Sequence, residues 1–235
     1  MADKILWEYL EELPEQEAPL SEWYQHLSGW HCFTTFCKHY LKVEYPRATR
    51  LKCTVPCDHG CPRKVVEHSH HDIAAVCPLG KADSVQLKFK DILIYSLRRQ
   101  AFHRALCAAL QVKYSGYRWP EYGNAWYLGE YHDVAGKLYC PVYLTNQTAT
   151  LLDAISSLYR LHQKSFILMT PTGRGLTPEA QQFLAKNNSV LLSLEAELSL
   201  QPDGTFKAVR SIAQCMKSCN YGCQHMDKEN SVSTR

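Results

Sequence analysis

Residues 166–198 read FILMTPTGRGLTPEAQQFLAKNNSVLLSLEAEL, and the order of patterns in them decides the class of fold. The opening FILMTP is a short apolar run of the kind that forms a strand buried on both faces. Thr177 and Pro178 then start a helix. A threonine hydroxyl in the cap position accepts an N–H of the first turn, and proline at the first helical position removes an N–H that would lack a helical partner. SVLLSLE, at 189–195, reads as the next strand. Strand, helix and strand with connections this short imply a right-handed crossover in a parallel or mixed sheet. Upstream, TATLLDAISSLYRLHQK (148–164) has the period of an amphipathic helix. NAWYLGEYH (124–132) and KLYCPVYLT (137–145) read as two strands joined by the turn around DVAGK, and Pro141 sets the second near an edge or a bulge. The expectation is an α/β domain over 91–205 built on a mixed sheet flanked by helices.

The order strand, strand, helix, strand, helix, strand over 124–194 resembles the core of the restriction-endonuclease-like fold, and 166–198 is similar to the C-terminal half of Mrr-type nuclease domains. That resemblance covers about a third of the chain. It implies a Mg²⁺ site made of an Asp and a (Glu/Asp)-x-Lys motif on adjacent strands. None of the lysines here has Asp or Glu two residues before it, and the strand that should carry the motif reads CPVYLTN. Glu130 and Asp133, on or near the preceding strand, are the carboxylates left to an alternative nuclease with a migrated site. The leading expectation is a domain without catalysis. A phosphate-binding G-x-x-x-x-G-K-[ST] loop and a G-x-S-x-G nucleophile elbow are also missing. Arg174, in the loop before a helix N-terminus, is placed to meet an anion.

The N-terminal side reads differently. Residues 3–13 have the pattern of a short acidic helix. From Ser21, the residues Trp23, Leu27, Trp30, Phe33, Cys37, Tyr40 and Leu41 recur at helical spacing, which predicts a second helix in an arm over 1–50 that Pro46 ends. Asp91 is expected to cap a helix running to Leu110, and a last helix is expected over 206–223, within a C-terminal helix and tail at 206–235.

Between these lies CTVPCDHGCPRKVVEHSHHDIAAVC, residues 53–77. KVVEH and DIAAVC predict a hairpin across HSHH, and SVQLKF (84–89) a further strand. Cys53, Cys57 and Cys61 stand four apart and Cys77 follows. Zinc takes four thiolate or imidazole ligands, and close pairs closed by a later ligand are its usual sequence form. The expectation is a small zinc-binding β segment over 51–90 with Cys53, Cys57, Cys61 and Cys77 as ligands. His59, His68, His70 and His71 are alternative donors in place of one cysteine. Four thiolates leave no open position, so the Zn²⁺ is expected to be structural. The segment also resembles uncharacterised bacterial proteins in which cysteines precede a CPR(K/R)VVE run, which implies a bacterial setting such as a regulatory or defence assembly. CMKSCNYGC repeats the spacing at Cys215, Cys219 and Cys223, on a predicted helix face that either docks the helix or holds a second metal.

Eleven cysteines in a chain whose first residues lack the basic-then-apolar pattern of a secretory signal fit a reducing, cytoplasmic compartment. The net charge of +3 hides a division: residues 1–22 carry one base and seven acids, residues 38–118 fifteen bases and six acids, and residues 119–235 ten of each. A basic excess confined to one region suits a polyanion. DNA or RNA is therefore an expected partner, through Lys52, Arg63, Lys64, Lys88, Lys90, Arg98 and Arg99. A partner protein held by the aromatic arm (Trp23, Trp30, Phe33, Phe36) is the other, which in its extreme form makes the chain a pure assembly subunit.

Overall fold

The fold was read from a computed structural model, which describes residues 3–13, 16–45, 47–53, 61–116, 125–132, 139–146, 151–162 and 164–217. It is mixed α/β with several sheets. Two units share the chain: Leu13–Arg98 form one, and Met1–Glu12 with Arg99–Arg235 form the other. The first helix, α1 (Lys4–Glu12), thus belongs with the C-terminal two thirds.

Residues 13–98 contain β1 (Glu17–Pro19), α2 (Leu20–Leu27), α3 (Phe33–Tyr40), β2 (Leu41–Glu44), β3 (Arg50–Leu51), β4 (Arg63–Ser69), β5 (Asp72–Val76), β6 (Val85–Leu87), a 3-10 turn (Phe89–Ile92) and β7 (Ile94–Leu97). The expected helix from Ser21 is two helices. The chain breaks at Ser28–Gly29, where Ser28 N–H bonds Tyr24 O and Trp30 N–H bonds Leu27 O. The aromatic stripe still forms the core: Trp23 and Trp30 lie 6.2 and 5.7 Å from Phe36, all three are buried, and Trp23 Nε1 donates to Tyr95 O at 3.1 Å. An arm offering Trp23, Trp30 and Phe36 to a partner is therefore not what the fold presents, because these rings already fill its own interior.

The helix expected from Asp91 is corrected too. Only Arg99–Ala109 (α4) is helical, and Ile94–Leu97 is the middle strand of the antiparallel sheet β1-β7-β2. Ile-Tyr-Ser-Leu suits a strand that pairs on both sides, and those ladder bonds override a helical spacing of leucines. The hairpin across 69–71 is present: β4 pairs antiparallel with β5 inside the sheet β3-β4-β5-β6, with Lys64 opposite Val76 and Val65 opposite Ala75. Leu51, Ala48 and Ala75 pack beneath it with Val65, Leu87 and Ile94.

The second unit continues with β8 (Lys113–Tyr114), β9 (Ala125–His132), β10 (Tyr139–Thr145), α5 (Leu151–His162), β11 (Ile167–Thr170), α6 (Pro178–Lys186), β12 (Val190–Ser193), α7 (Leu194–Glu197), β13 (Leu198–Leu200) and β14 (Phe206–Ala208). Its main sheet has the order β12-β11-β10-β9-β8. Strands β8, β9 and β10 form an antiparallel meander, while β11 and β12 run parallel to β10. The mixed sheet flanked by helices is as the sequence predicts. Thr177 Oγ1 accepts from Ala180 N–H at 3.3 Å and starts α6. Ile155 and Leu158 of α5, with Ala180 and Leu184 of α6, cover Tyr143, Phe166 and Leu168.

Pro141 lies beside the register shift between Val142 and Tyr143, on an interior strand. Pairing of β10 with β11 begins only at Val142, so the missing N–H of Pro141 interrupts no bond there. Across the same irregularity Gly129 has φ +151, and a Cβ on it would stand 2.0 Å from Lys113 O. Glycine is required there.

The expected helix over 206–223 is replaced in part by a hairpin, β13 with β14, through the turn Pro202-Asp203-Gly204. Among the described residues of that span only 212–217 are helical, and Cys219 and Cys223 lie outside the described residues. Trp7 of α1 packs against Phe102 (6.0 Å) and Phe206 (5.7 Å), which ties the first helix to α4 and β14. Among the described residues no helix is long and apolar enough to cross a membrane.

Candidate metal centre

The cysteine segment is organised by the sheet β3-β4-β5-β6. Leu51 pairs with Arg63, and Cys53 and Cys61 each lie two residues beyond that last pair. Lys64 pairs with Val76, which brings Cys77 beside Arg63. Because strand side chains alternate, Cys53, Cys61 and Cys77 fall on the same side of the sheet as Leu51, Arg63 and Ala75, all at one end. Cys57 and His59 lie in 54–60, outside the described residues.

The surroundings of Cys77 differ from those of the other thiols. Cys77 is buried, and the backbone N–H groups of Leu79, Lys81 and Ala82 with the Cys61 side chain are the groups that favour its thiolate. The turn Cys77-Pro78-Leu79-Gly80 makes this approach: Gly80 adopts φ +63 and its N–H bonds Cys77 O at 3.1 Å. The N–H groups of Leu79 and Lys81 hold the Cys77 thiol below its ordinary range, against the opposing effect of burial. Cys37 and Cys107 are each pushed up to about 12 by burial, and burial also raises Cys140. Cys107 and Cys140 behave as small core residues, and Cys37 is half-buried. Cys32 and Cys215 are buried as well.

A sulfur that accepts several amide N–H bonds has its negative form stabilised, and the thiolate is the form that binds a metal. The donor set of Cys61 and Cys77, with Cys53 at the same sheet end, therefore fits zinc chemistry. Among the described residues no three His, Cys, Asp or Glu side chains are grouped to hold an ion, and Cys57 is not among them. His68, His70 and His71 do not fit. Strand β4 separates them from Cys61 by about 20 Å or more at roughly 3.3 Å per residue. The His70 ring instead lies 4.1 Å from Phe89, over which Arg47 places its guanidinium at 4.9 Å.

The basic residues singled out in the sequence separate into groups. Lys52, Lys64 and Lys88 are exposed and lie on the side of the sheet opposite the cysteines, while Lys90 is exposed in the 3-10 turn. Arg63 is only 5 % exposed and donates to Ala75 O (3.3 Å) and Asp83 O (2.5 Å). Its guanidinium binds the sheet together and does not meet solvent. Arg98 follows β7, with its N–H on Tyr40 O. Arg99 begins α4 in the other unit, 5.9 Å over the Trp126 ring. Arg50, passed over in the sequence, stands opposite Lys64. Only the strand register reveals it.

Comparison with protein-family models, with curated proteins and with solved structures finds no match.

In the α/β unit, Glu130 of β9 accepts from Tyr139 Oη (2.5 Å) and Tyr127 Oη (3.3 Å) and lies 3.4 Å from His132 Nε2. The Tyr139 hydroxyl, with the His132 imidazole and the Tyr127 hydroxyl, holds its carboxyl below the usual range. Tyr139–Thr145 contributes no carboxylate or lysine beside it, and Asp133 lies outside the described residues. Arg174 is paired with Glu8 of α1, and Thr172 Oγ1 donates to Glu11. The acidic first helix thus meets the loop after β11, where an anion was expected.

Proposed function

We propose that this chain is a non-catalytic binding protein whose unit 13–98 is stabilised by a structural zinc ion, with nucleic acid as its ligand. The observation that carries the metal is the amide cradle around Cys77, hydrogen-bonded to Cys61. Cys53, Cys57, Cys61 and Cys77 would hold the ion, and four thiolates would leave it no site for water or substrate. Bound zinc links folding to thiolate capture, which suits a sheet with as small an apolar layer as Ala48, Leu51 and Ala75. The excess of bases over 38–118 supports a polyanionic ligand.

The α/β unit fits a degenerate restriction-endonuclease-like core. Support comes from its strand order, an antiparallel meander continued by two parallel strands through α5 and α6. The second reading, a nuclease using Glu130 and Asp133, draws on the placement of Glu130 on the middle strand of that meander. The test is metal content per chain in protein purified without chelator, beside Cys61→Ser/Cys77→Ser and a Cys140→Ala control. About one zinc, lost in the double variant and kept in the control, is expected. No metal in the wild type would overturn the zinc reading. Mg²⁺- or Mn²⁺-dependent cleavage abolished by Glu130→Ala would replace the non-catalytic one.

A further inference from the structure

The side of the sheet β3-β4-β5-β6 facing away from the cysteines is composed unlike a simple solvated surface. The registers place Arg50, Lys64, Val66, Ser69, Asp72, Ala74, Val76 and Gln86 on it, and Lys52 and Lys88, one residue beyond β3 and β6, follow by side-chain alternation. Asp72 is the one acid among them, and it accepts from Gln86 Nε2 at 3.4 Å. The neighbouring carboxylates are engaged elsewhere. Glu67 takes two bonds from Arg47 (2.7 and 2.8 Å), Asp91 accepts the Lys88 N–H (2.8 Å), and Glu22 accepts the Lys52 N–H (2.8 Å). Among the described residues, none of Arg50, Lys52, Lys64 and Lys88 forms an ion pair.

Two of these cations, Arg50 and Lys64, stand directly opposite each other in an antiparallel ladder. Like charges at such positions, about 5 Å apart at Cβ, destabilise a sheet. An anion bound between them removes that cost. The face carries no Phe, Tyr or Trp on which a base could stack, and its centre is Val66, Ala74 and Val76. Sequence-tolerant single-strand binders rely on such rings. Contacts to phosphates need only the cations, which act as point charges on the backbone.

We infer that this face, through Arg50, Lys52, Lys64 and Lys88, binds the phosphodiester backbone of nucleic acid without reading base sequence. The inference deepens the binding reading of unit 13–98 and rests on it. Four phosphate contacts give a slope of log K against log salt of about −3.6 for duplex DNA and about −2.8 for a single strand. Between 50 and 200 mM salt, affinity for duplex therefore falls about 150-fold.

The experiment is fluorescence anisotropy of the full chain with labelled duplexes of two unrelated sequences across that salt range, with zinc content measured on the same samples. In Arg50→Gln/Lys64→Gln the slope is expected to fall by about 1.8, since each lost phosphate contact removes about 0.9. Lys207→Gln, on β14 of the other unit, should leave it unchanged. If the double variant does not fold, Lys88→Gln alone should lower the slope by about 0.9. Zinc-loaded wild type that does not bind, a slope unmoved by these substitutions, or strong preference for one sequence would overturn the inference while leaving the metal centre standing. Metal-free wild type that binds with the expected slopes would support the inference and remove the metal centre.

Discussion

Acidification should destabilise the α/β unit through one buried imidazole. His103 lies on α4, 2 % exposed, with its ring 6.0 Å from Trp126 and 6.4 Å from Phe102. Burial, reinforced by the positive charge of Arg99 one turn earlier, lowers its pKa from 6.5 to about 4. The unfolded chain thus takes up a proton at a pH where the folded chain resists it. The contribution is complete above the unfolded value of 6.5 and is lost as pH falls from there towards about 4. The full span corresponds to roughly 3 kcal/mol, and the part between about pH 7.5 and pH 5 to roughly 2 kcal/mol. Urea unfolding followed by tryptophan fluorescence would show this. With a slope near 2 kcal/mol/M, His103 should account for about 1 M of the fall in midpoint across that interval. His103→Leu keeps an apolar side chain of similar size and removes the titration, so its midpoint should fall by about 1 M less than the wild type. Other titrating groups act equally in both proteins. Equal falls in the two would refute the reasoning, whatever the absolute stabilities.

Further substitutions test other parts of the fold. Gly129→Ala drives a Cβ to within 2.0 Å of Lys113 O, and it should cost about 3 kcal/mol or more and release β8 from β9, read by thermal unfolding and amide exchange at Tyr114 and Ser115. Thr177→Ala removes the hydroxyl that accepts the Ala180 N–H and should cost about 1 kcal/mol in urea. Arg63→Leu leaves the carbonyls of Ala75 and Asp83 without their donor and should cost about 1–3 kcal/mol while leaving the salt slope of nucleic-acid binding unchanged. A changed slope would return Arg63 to the binding surface.

Much of the α/β unit was legible because its signals are local. The apolar run at 167–170, the Thr177-Pro178 start and the amphipathic 151–162 each state their own structure. The hairpin of β4 and β5 was legible for the same reason. Where the structure departs from the helical periodicity, either a turn signal or a distant strand prevails over it. Pro202-Asp203-Gly204 is a turn signal in plain view, and the hairpin it closes makes Phe206–Ala208 a strand where a helix over 206–223 is expected. Ile94–Leu97 gave no comparable warning. Leu97 fits a helical spacing with Leu93, and only β1 and β2, fifty or more residues upstream, make the segment a strand.

For the cysteines and the basic residues, the sequence by itself determined composition, spacing and regional charge. It could nominate Cys53, Cys57, Cys61 and Cys77, and it could place the basic excess in 38–118. Tertiary structure decided which thiol is cradled by amides and which lie inert in the core, because that depends on where backbone N–H groups point after the chain turns at Gly80. It also withdrew Arg63 from the surface, set Arg50 against Lys64, and assigned Arg99 to the other unit. Side-chain alternation has a period of two, so the face on which each charge falls follows from register. Register is fixed by pairing between strands, which no single stretch of sequence contains.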